Sequence, residues 1–473
     1  MIITSLKFFS LLFPLLALYY FLPRRLQNYL LLAVSYVFYA IWAWQFPIIL
    51  FILTALNYKA AQRLRKGDRV VKPVLWGGVA LNIAALVVFK YADFFVPQMR
   101  ALVGGLGVEA FSGTLKILLP VGLSYRVLEN ISYLLDVYRG QIPASEDPVD
   151  FALYTAYFPK LLSGPIERAR AFLPLLARQR IVDNETLKES FTLIMLGAVR
   201  KLVIADTIAS ITPPGVFEDP LKYSALALAS WLSAYVFMVY NDFAGYTNIV
   251  QGVSGLFGIK LSRNFLTPLL SRSFAELWTR WHITLSFWLR DYIYLPLSRA
   301  LLRRGYSPRG ALMLIIPPLA AMVVSGLWHE LRLHMVLWGI LSGIYLAGGN
   351  IISRNRMIVP PDKLPVWRQG MGMVMVFTLT ALSLVVFRMN LATAAAFYRG
   401  LLIWERWDMP DLRIFFLIGI SLTIDVFQYR GRDEVVFTRW QTFPRSVALA
   451  VAVFAIFLAT RTRAAAPFIY QGF

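Results

Sequence analysis

The chain contains no cysteine. That excludes disulfides, thiolate nucleophiles, cysteine-bound metals, iron–sulfur clusters and palmitoylated thiols. Histidine is nearly absent too, with three in 473 residues, so few side chains can carry a proton near neutral pH. Acidic residues are sparse: 26 Asp and Glu against 47 Lys and Arg, for a formal charge of +21. Charged residues of both signs reach only 15%, where a soluble domain carries about 25%. No internal repeat, low-complexity tract or soluble domain is visible.

What fills the chain is apolar sequence. Hydrophobic residues make up 58% and mean hydropathy is +0.61. This composition predicts an all-α polytopic membrane protein, a single membrane domain over residues 1–473. Spans are expected near 4–22, 29–45, 46–62, 74–95, 117–136, 190–210, 223–241, 311–328, 334–351, 371–388, 412–428 and 446–461. That gives about 11–12 transmembrane helices. The first run carries Lys7, lacks a small-x-small cleavage pattern and leads into Pro23-Arg24-Arg25. It reads as a retained span rather than a signal peptide.

The basic residues gather in short loops. Arg24 and Arg25 follow the first run; Arg63, Arg65, Lys66, Arg69 and Lys72 follow the third. The positive-inside bias makes that side cytoplasmic and the N-terminus extracytoplasmic. The same bias accounts for the net charge, so nucleic-acid binding is not expected.

Residues 151–166 are too short for a plain span and are interrupted by Pro159, Gly164 and Pro165. A re-entrant or broken helix is predicted, and its backbone must be satisfied by protein. Residues 260–302 alternate Arg with aromatics, through Arg263, Phe265, Arg272, Phe274, Trp278, Arg280, Trp281, Trp288 and Arg290. This fits an amphipathic interfacial helix with snorkelling arginines. It also fits a cytoplasmic funnel floor whose cations attract a phosphate-bearing substrate.

Polar groups inside apolar sequence are costly and mark candidate function. His282 sits in Arg280-Trp281-His282-Ile283-Thr284, and His329 follows Gly326-Leu327-Trp328. Asp242 and Tyr246, four residues apart, share a face on a helix. They suit either a helix-end polar cap or a group that orients a histidine. His329 and His334 flank Glu330, but five-residue spacing turns them about 140° apart on a helix. A zinc-protease motif needs four, so no metal site is expected. His334 reads as a histidine satisfied by its surroundings.

These blocks together resemble the membrane-bound O-acyltransferase (MBOAT) family, in its bacterial alginate O-acetyltransferase-like branch. The similarity runs through Lys90-Tyr91-Ala92-Asp93-Phe94-Phe95, Leu119-Pro120-Val121-Gly122-Leu123-Ser124 and Ser132-Tyr133-Leu134-Leu135-Asp136-Val137-Tyr138-Arg139-Gly140. It continues in Tyr157-Phe158-Pro159-Lys160-Leu161-Leu162-Ser163-Gly164-Pro165 and Asp242-Phe243-Ala244-Gly245-Tyr246-Thr247. The most specific block is Trp278-Thr279-Arg280-Trp281-His282-Ile283-Thr284-Leu285-Ser286. Gly326-Leu327-Trp328-His329 and Val336-Leu337-Trp338-Gly339 complete the series. The chain departs from the family pattern at Glu330, Leu333, Thr279 and Ser342, and in Tyr125-Arg126-Val127-Leu128-Glu129.

The resemblance implies re-entrant and interfacial helices around a central tunnel. It implies an acyltransferase taking an acyl group from a thioester to a hydroxyl or amine. It maps the family's near-invariant histidine to His329 and a second conserved polar position to His282. On that basis His329 is the expected general base. His282, the Trp281 indole and backbone N–H groups are candidate oxyanion donors; His282 alternatively binds the thioester or returns a proton to the thiolate. Asp242, Tyr246 and Trp328 are expected around the histidines, and Arg280 and Arg290 on the donor's phosphates. No bound cofactor is expected; acetyl-CoA or another acyl thioester is the expected donor substrate. Membrane lipid and an extracytoplasmic acetyltransferase are the expected partners, in the bacterial inner membrane. The expected product is an O-acetylated exported polysaccharide. D-alanyl or peptidoglycan-type transfer, and a transporter without chemistry, are the alternatives.

Overall fold

The computed structural model describes residues 3, 5–64, 71–92, 94–95, 119–180, 182–354, 364–405 and 407–461. Arg65, Lys66 and Arg69 of one basic loop, Asp93, and residues 355–363 of another basic stretch lie outside them. The described residues form helices joined by turns, with no β-strand among them. Among the described residues, six helices are long and apolar enough to cross a membrane: α4 (Val71–Phe89), α14 (Ala311–His329), α15 (Leu333–Ser353), α16 (Val366–Arg388), α18 (Leu412–Gly431) and α19 (Thr442–Arg461).

The other expected spans also form helices, but shorter or more polar ones. Among them are α1 (Leu6–Phe21), α2 (Arg24–Ala40), α3 (Gln45–Arg63) and α5 (Leu123–Tyr138). α5 buries Arg126, Glu129, Asn130 and Asp136. Such side chains lower the apolarity of a window while pairing inside the protein, as Arg126 does with Glu129 and Asn130 with Asn82. By Cα proximity the chain divides into two compact units. One comprises Met1–Leu187 with Val253–Ser262, the other Lys188–Gly252 with Arg263–Phe473.

In the first unit the broken segment is as expected. Asp147 caps α6 (Pro148–Ala156), accepting from the N–H groups of Val149 at 2.8 Å and Asp150 at 3.3 Å. A 3₁₀ turn, Phe158–Lys160, follows, and Pro159 and Pro165 stop the helix from resuming. The break is held by buried charge. Glu129 receives the Lys160 ammonium at 2.7 and 2.8 Å, Arg126 at 2.7 Å and the Glu167 N–H at 3.0 Å. Arg126 also donates to the carbonyls of Thr155 and Lys160, each at 3.0 Å. Backbone groups that lipid could not satisfy are thus satisfied by side chains.

In the second unit α8 (Asn184–Ala198) runs through a π-helical stretch, Val199–Ala205, into α9 (Asp206–Ile211). α10 (Ala225–Leu256) is 32 residues long, and its residues 225–252 belong to this unit. The Asn241–Asn248 stretch is therefore internal to a helix, which corrects the helix-end reading. A buried network ties α18 to this helix. Arg200 reaches Asp425 at 2.6 Å, Gln428 at 2.9 Å and Asn241 at 2.9 Å, and the Tyr240 hydroxyl donates to Asp425 at 2.9 Å.

α14 and α15 are joined by only three residues, 330–332. Their backbones touch where side chains are missing. A Cβ on Gly326 would run into the Met335 carbonyl, and one on Gly339 would lie 2.6 Å from the Met322 carbonyl. Small residues at this contact allow the close packing that holds membrane helices together.

Residues 260–302 do not form one interfacial helix. They break into a 3₁₀ turn (Pro268–Leu270), α11 (Phe274–Arg280), α12 (Ile283–Leu289), a π-helical stretch (Arg290–Tyr294) and α13 (Leu295–Arg303). The remaining helices are α7 (Ala169–Ala177) and α17 (Leu391–Leu402).

Candidate active site

His282 stands at the junction of two short helices. Ser273 caps α11 through the Glu276 N–H at 3.2 Å, and the helix ends at Trp281. His282 then takes left-handed backbone angles, φ 40° and ψ 54°, before α12 begins. A non-glycine residue there is strained and persists only where neighbours over-determine it. Here Asn264 does so. Its carbonyl accepts the Ile283 N–H at 2.9 Å. Its Oδ1 lies 3.1 Å from His282 Nδ1, 2.9 Å from the Thr284 hydroxyl and 3.3 Å from the Thr284 N–H.

The imidazole is 2% exposed and packed against rings. Phe243 meets it edge-on at 4.8 Å between centroids, and Phe265 and Trp328 lie at 6.4 Å. Burial pushes its pKa down to about 3, so it is neutral at physiological pH.

His329 is the last residue of α14 and is also buried. Its ring contacts Trp328 at 4.9 Å, Phe387 at 5.2 Å and Trp338 at 5.7 Å. Trp328 is thus shared: one indole touches both imidazoles. Trp338 extends this wall to Trp278, with centroids 6.2 Å apart. His334 Nε2 lies 3.6 Å from Glu330 Oε2, and Glu330 also pairs with Arg332 at 2.6 Å.

The other predicted residues are placed differently from one another. Trp281 joins the histidine cluster, half-buried between Phe265 at 5.4 Å and Tyr240 at 6.2 Å. Arg280 is drawn into structure. It pairs with Glu276 at 2.7 Å, donates to the Thr267 hydroxyl at 3.0 Å and lies 5.1 Å over Tyr429. Arg290 is outward-facing, 2.9 Å from Asp291 and 4.4 Å over the Phe287 ring. Asp242 and Tyr246 are buried one turn apart on α10, as their spacing implied. Asp242 forms an ion pair with Lys201 at 2.6 Å. The residue on a histidine ring is Asn264, which no sequence motif singled out; its only signal is its place between Arg263 and Phe265. Phe387, far along the chain, carries none.

The family model described as "MBOAT, membrane-bound O-acyltransferase family" matches residues 123–379, over half the chain and inclusive of both buried histidines. The chain belongs to the membrane-bound O-acyltransferase family. A probable alginate O-acetylase AlgI of Azotobacter vinelandii is 36% identical over 420 residues, covering 87% of this chain and 80% of that protein. Another, from Pseudomonas putida, is 33% identical over 437 residues, covering 91% and 86%. A peptidoglycan O-acetyltransferase of Helicobacter pylori is 27% identical over 392 residues, covering 73% and 72%. This acyltransferase is therefore an alginate O-acetylase-like, multi-pass membrane enzyme of O-acyl transfer.

Proposed function

We propose that this acyltransferase moves an acetyl group from a cytoplasmic thioester, acetyl-CoA or an acylated carrier, toward a hydroxyl of an exported polysaccharide. The carrying observation is the pair of buried imidazoles that share Trp328 as a neighbour. A hydroxyl is a weak nucleophile at neutral pH, and a positioned neutral histidine takes its proton as it attacks the thioester carbonyl. His329 is that base. The C–O bond forms as the C–S bond breaks, and the thiolate leaves with a proton returned from the site. The carbonyl oxygen, negative during the attack, needs donors; the Trp281 indole N–H and backbone N–H groups are candidates, with His282 beside them. Without cysteine, and with no serine elbow, direct transfer is favoured over a stable acyl-enzyme.

Arg290, exposed beside Asp291, meets the donor's phosphates from the cytoplasm. The basic loops support an orientation with the N-terminus outside the inner membrane. An extracytoplasmic acetyltransferase receives the acyl group and completes its delivery. The relative named for peptidoglycan favours a second acceptor class, peptidoglycan itself. The test is direct: purified protein in lipid nanodiscs is given acetyl-CoA labelled in the acetyl group, with alginate or peptidoglycan fragments. Release of free CoA with label on one acceptor supports the reading. Intact acetyl-CoA with every acceptor, and with an acylated carrier protein as donor, overturns it in favour of a transporter or scaffold.

A further inference from the structure

Asn264 is a residue whose orientation can be read without ambiguity. An amide side chain presents oxygen on one arm and nitrogen on the other, and the two are told apart by their neighbours. One arm faces the backbone N–H of Thr284 at 3.3 Å. A backbone N–H only donates, so the arm facing it is the oxygen. The Thr284 hydroxyl donates to the same oxygen at 2.9 Å. The other arm, Nδ2, is buried and has no hydrogen-bond partner among the described residues. The amide holds this orientation although it leaves a donor group unspent.

The third neighbour of that oxygen is His282 Nδ1, at 3.1 Å. An amide oxygen cannot donate, so Nδ1 must carry the hydrogen. A neutral imidazole has one N–H and one lone pair. With the hydrogen on Nδ1, the lone pair is on Nε2. Asn264 also fixes the ring's backbone, since its carbonyl accepts the Ile283 N–H and the Leu266 N–H donates to the Arg280 carbonyl at 3.0 Å. Segment 264–266 thereby clamps residues 280–283 from one side.

We propose that Asn264 is a positioning residue that holds His282 as the Nδ1–H tautomer, so that the ring enters the reaction as a hydrogen-bond acceptor through Nε2. This rests on the acyl-transfer reading and narrows it. A resting His282 has already spent its only N–H on Asn264. It therefore cannot supply an oxyanion donor, and that task falls to the Trp281 indole and backbone groups. The site then offers the His282 Nε2 lone pair beside Trp328, whose indole also contacts His329. His282 Nε2 then suits accepting a hydrogen bond from the incoming hydroxyl, while His329 takes its proton.

The decisive measurement needs no activity, so its failure is separable from failure of the acyl-transfer reading. Protein carrying isotope-labelled histidine is studied by magnetic resonance in lipid at neutral pH. With only three histidines, the His329→Asn and His334→Asn variants assign the remaining signal to His282. The expected result is the Nδ1–H tautomer, unchanged when the protein is otherwise wild type. An Nε2–H tautomer, or rapid exchange between the two, overturns the proposal. A second arm uses Asn264→Asp, which keeps an acceptor oxygen, and Asn264→Ala, which does not. Asp should preserve the tautomer and keep kcat within about tenfold; Ala should lose both the tautomer and about 100-fold in kcat, with donor KM little changed. Equal losses in both variants, or a loss confined to KM, assign Asn264 a packing role and overturn positioning.

Discussion

Lys201 holds Asp242 at 2.6 Å, with both side chains buried in the second unit. The same ammonium reaches Asp206 at 2.7 Å. The acid on α10 thus ties that helix to the π-helical stretch that bears Lys201. That makes it a support of the scaffold under the His282 wall.

Removing one partner of a buried pair leaves an uncompensated charge, at about 3 kcal/mol. Asp242→Ala should lower the melting temperature of the detergent-solubilised protein markedly, and donor KM should change little in the surviving folded fraction. Asp206 remains on the ammonium, so the loss belongs at the lower end for such pairs. A melting temperature equal to wild type would remove the ion pair from the account of stability.

His329→Ala should abolish acyl transfer while the protein still inserts and folds, with a lowered melting temperature from the cavity left among the rings. General-base removal costs on the order of 100- to 10,000-fold. The ring packs on Trp328, Trp338 and Phe387. His329→Phe, which keeps an aromatic filler, separates lost packing from lost chemistry. Full turnover in either variant ends the assignment of His329 as base.

Arg280 and Arg290 should differ. Arg290→Gln is expected to raise donor KM several-fold with kcat retained, and its effect should shrink in high salt because exposed charges are screened. Arg280→Gln removes an ion pair with Glu276 and the contact over Tyr429. Its main signature should be reduced thermal stability. Identical kinetic profiles for the two variants would refute this division.

Burial also fixes a pH dependence. The folded pKa of His282, about 3, lies below the ordinary histidine value of 6.5. Below pH 6.5 the unfolded chain binds a proton that the folded protein excludes. This residue's contribution is therefore whole above about pH 6.5 and is lost as pH falls toward 3. Melting temperatures from pH 7.5 down to 4 should fall more steeply for wild type than for His282→Gln. Parallel curves would show that the ring does not resist protonation.

Gly326 lies three residues before His329 and touches the Met335 backbone. Gly326→Ala should push α14 off α15, lower the melting temperature and reduce turnover together. An active, fully stable variant would show that the helix pair tolerates separation at the site.

Composition alone determined the class of this molecule. Long apolar runs, few charges and basic loops leave no other way to satisfy a backbone in lipid than helices, and prolines 159 and 165 dictated the break in the fourth quarter of the first unit's sequence. Motif order named the family and both buried histidines. Periodicity also placed Asp242 and Tyr246 on one helical face.

The tertiary structure decided the partners. Asp242 suits, from sequence, either a helix-end polar cap or a group that orients a histidine, because a lone acid in apolar sequence needs some counterpart. Lys201, some forty residues earlier, turns out to be that counterpart. The histidine's own companion is a neutral amide eighteen residues upstream, brought back by a left-handed turn at residue 282. Sequence carries such information poorly: hydrogen-bond partners are chosen by distance and direction in space, whereas linear patterns record only which face a side chain occupies.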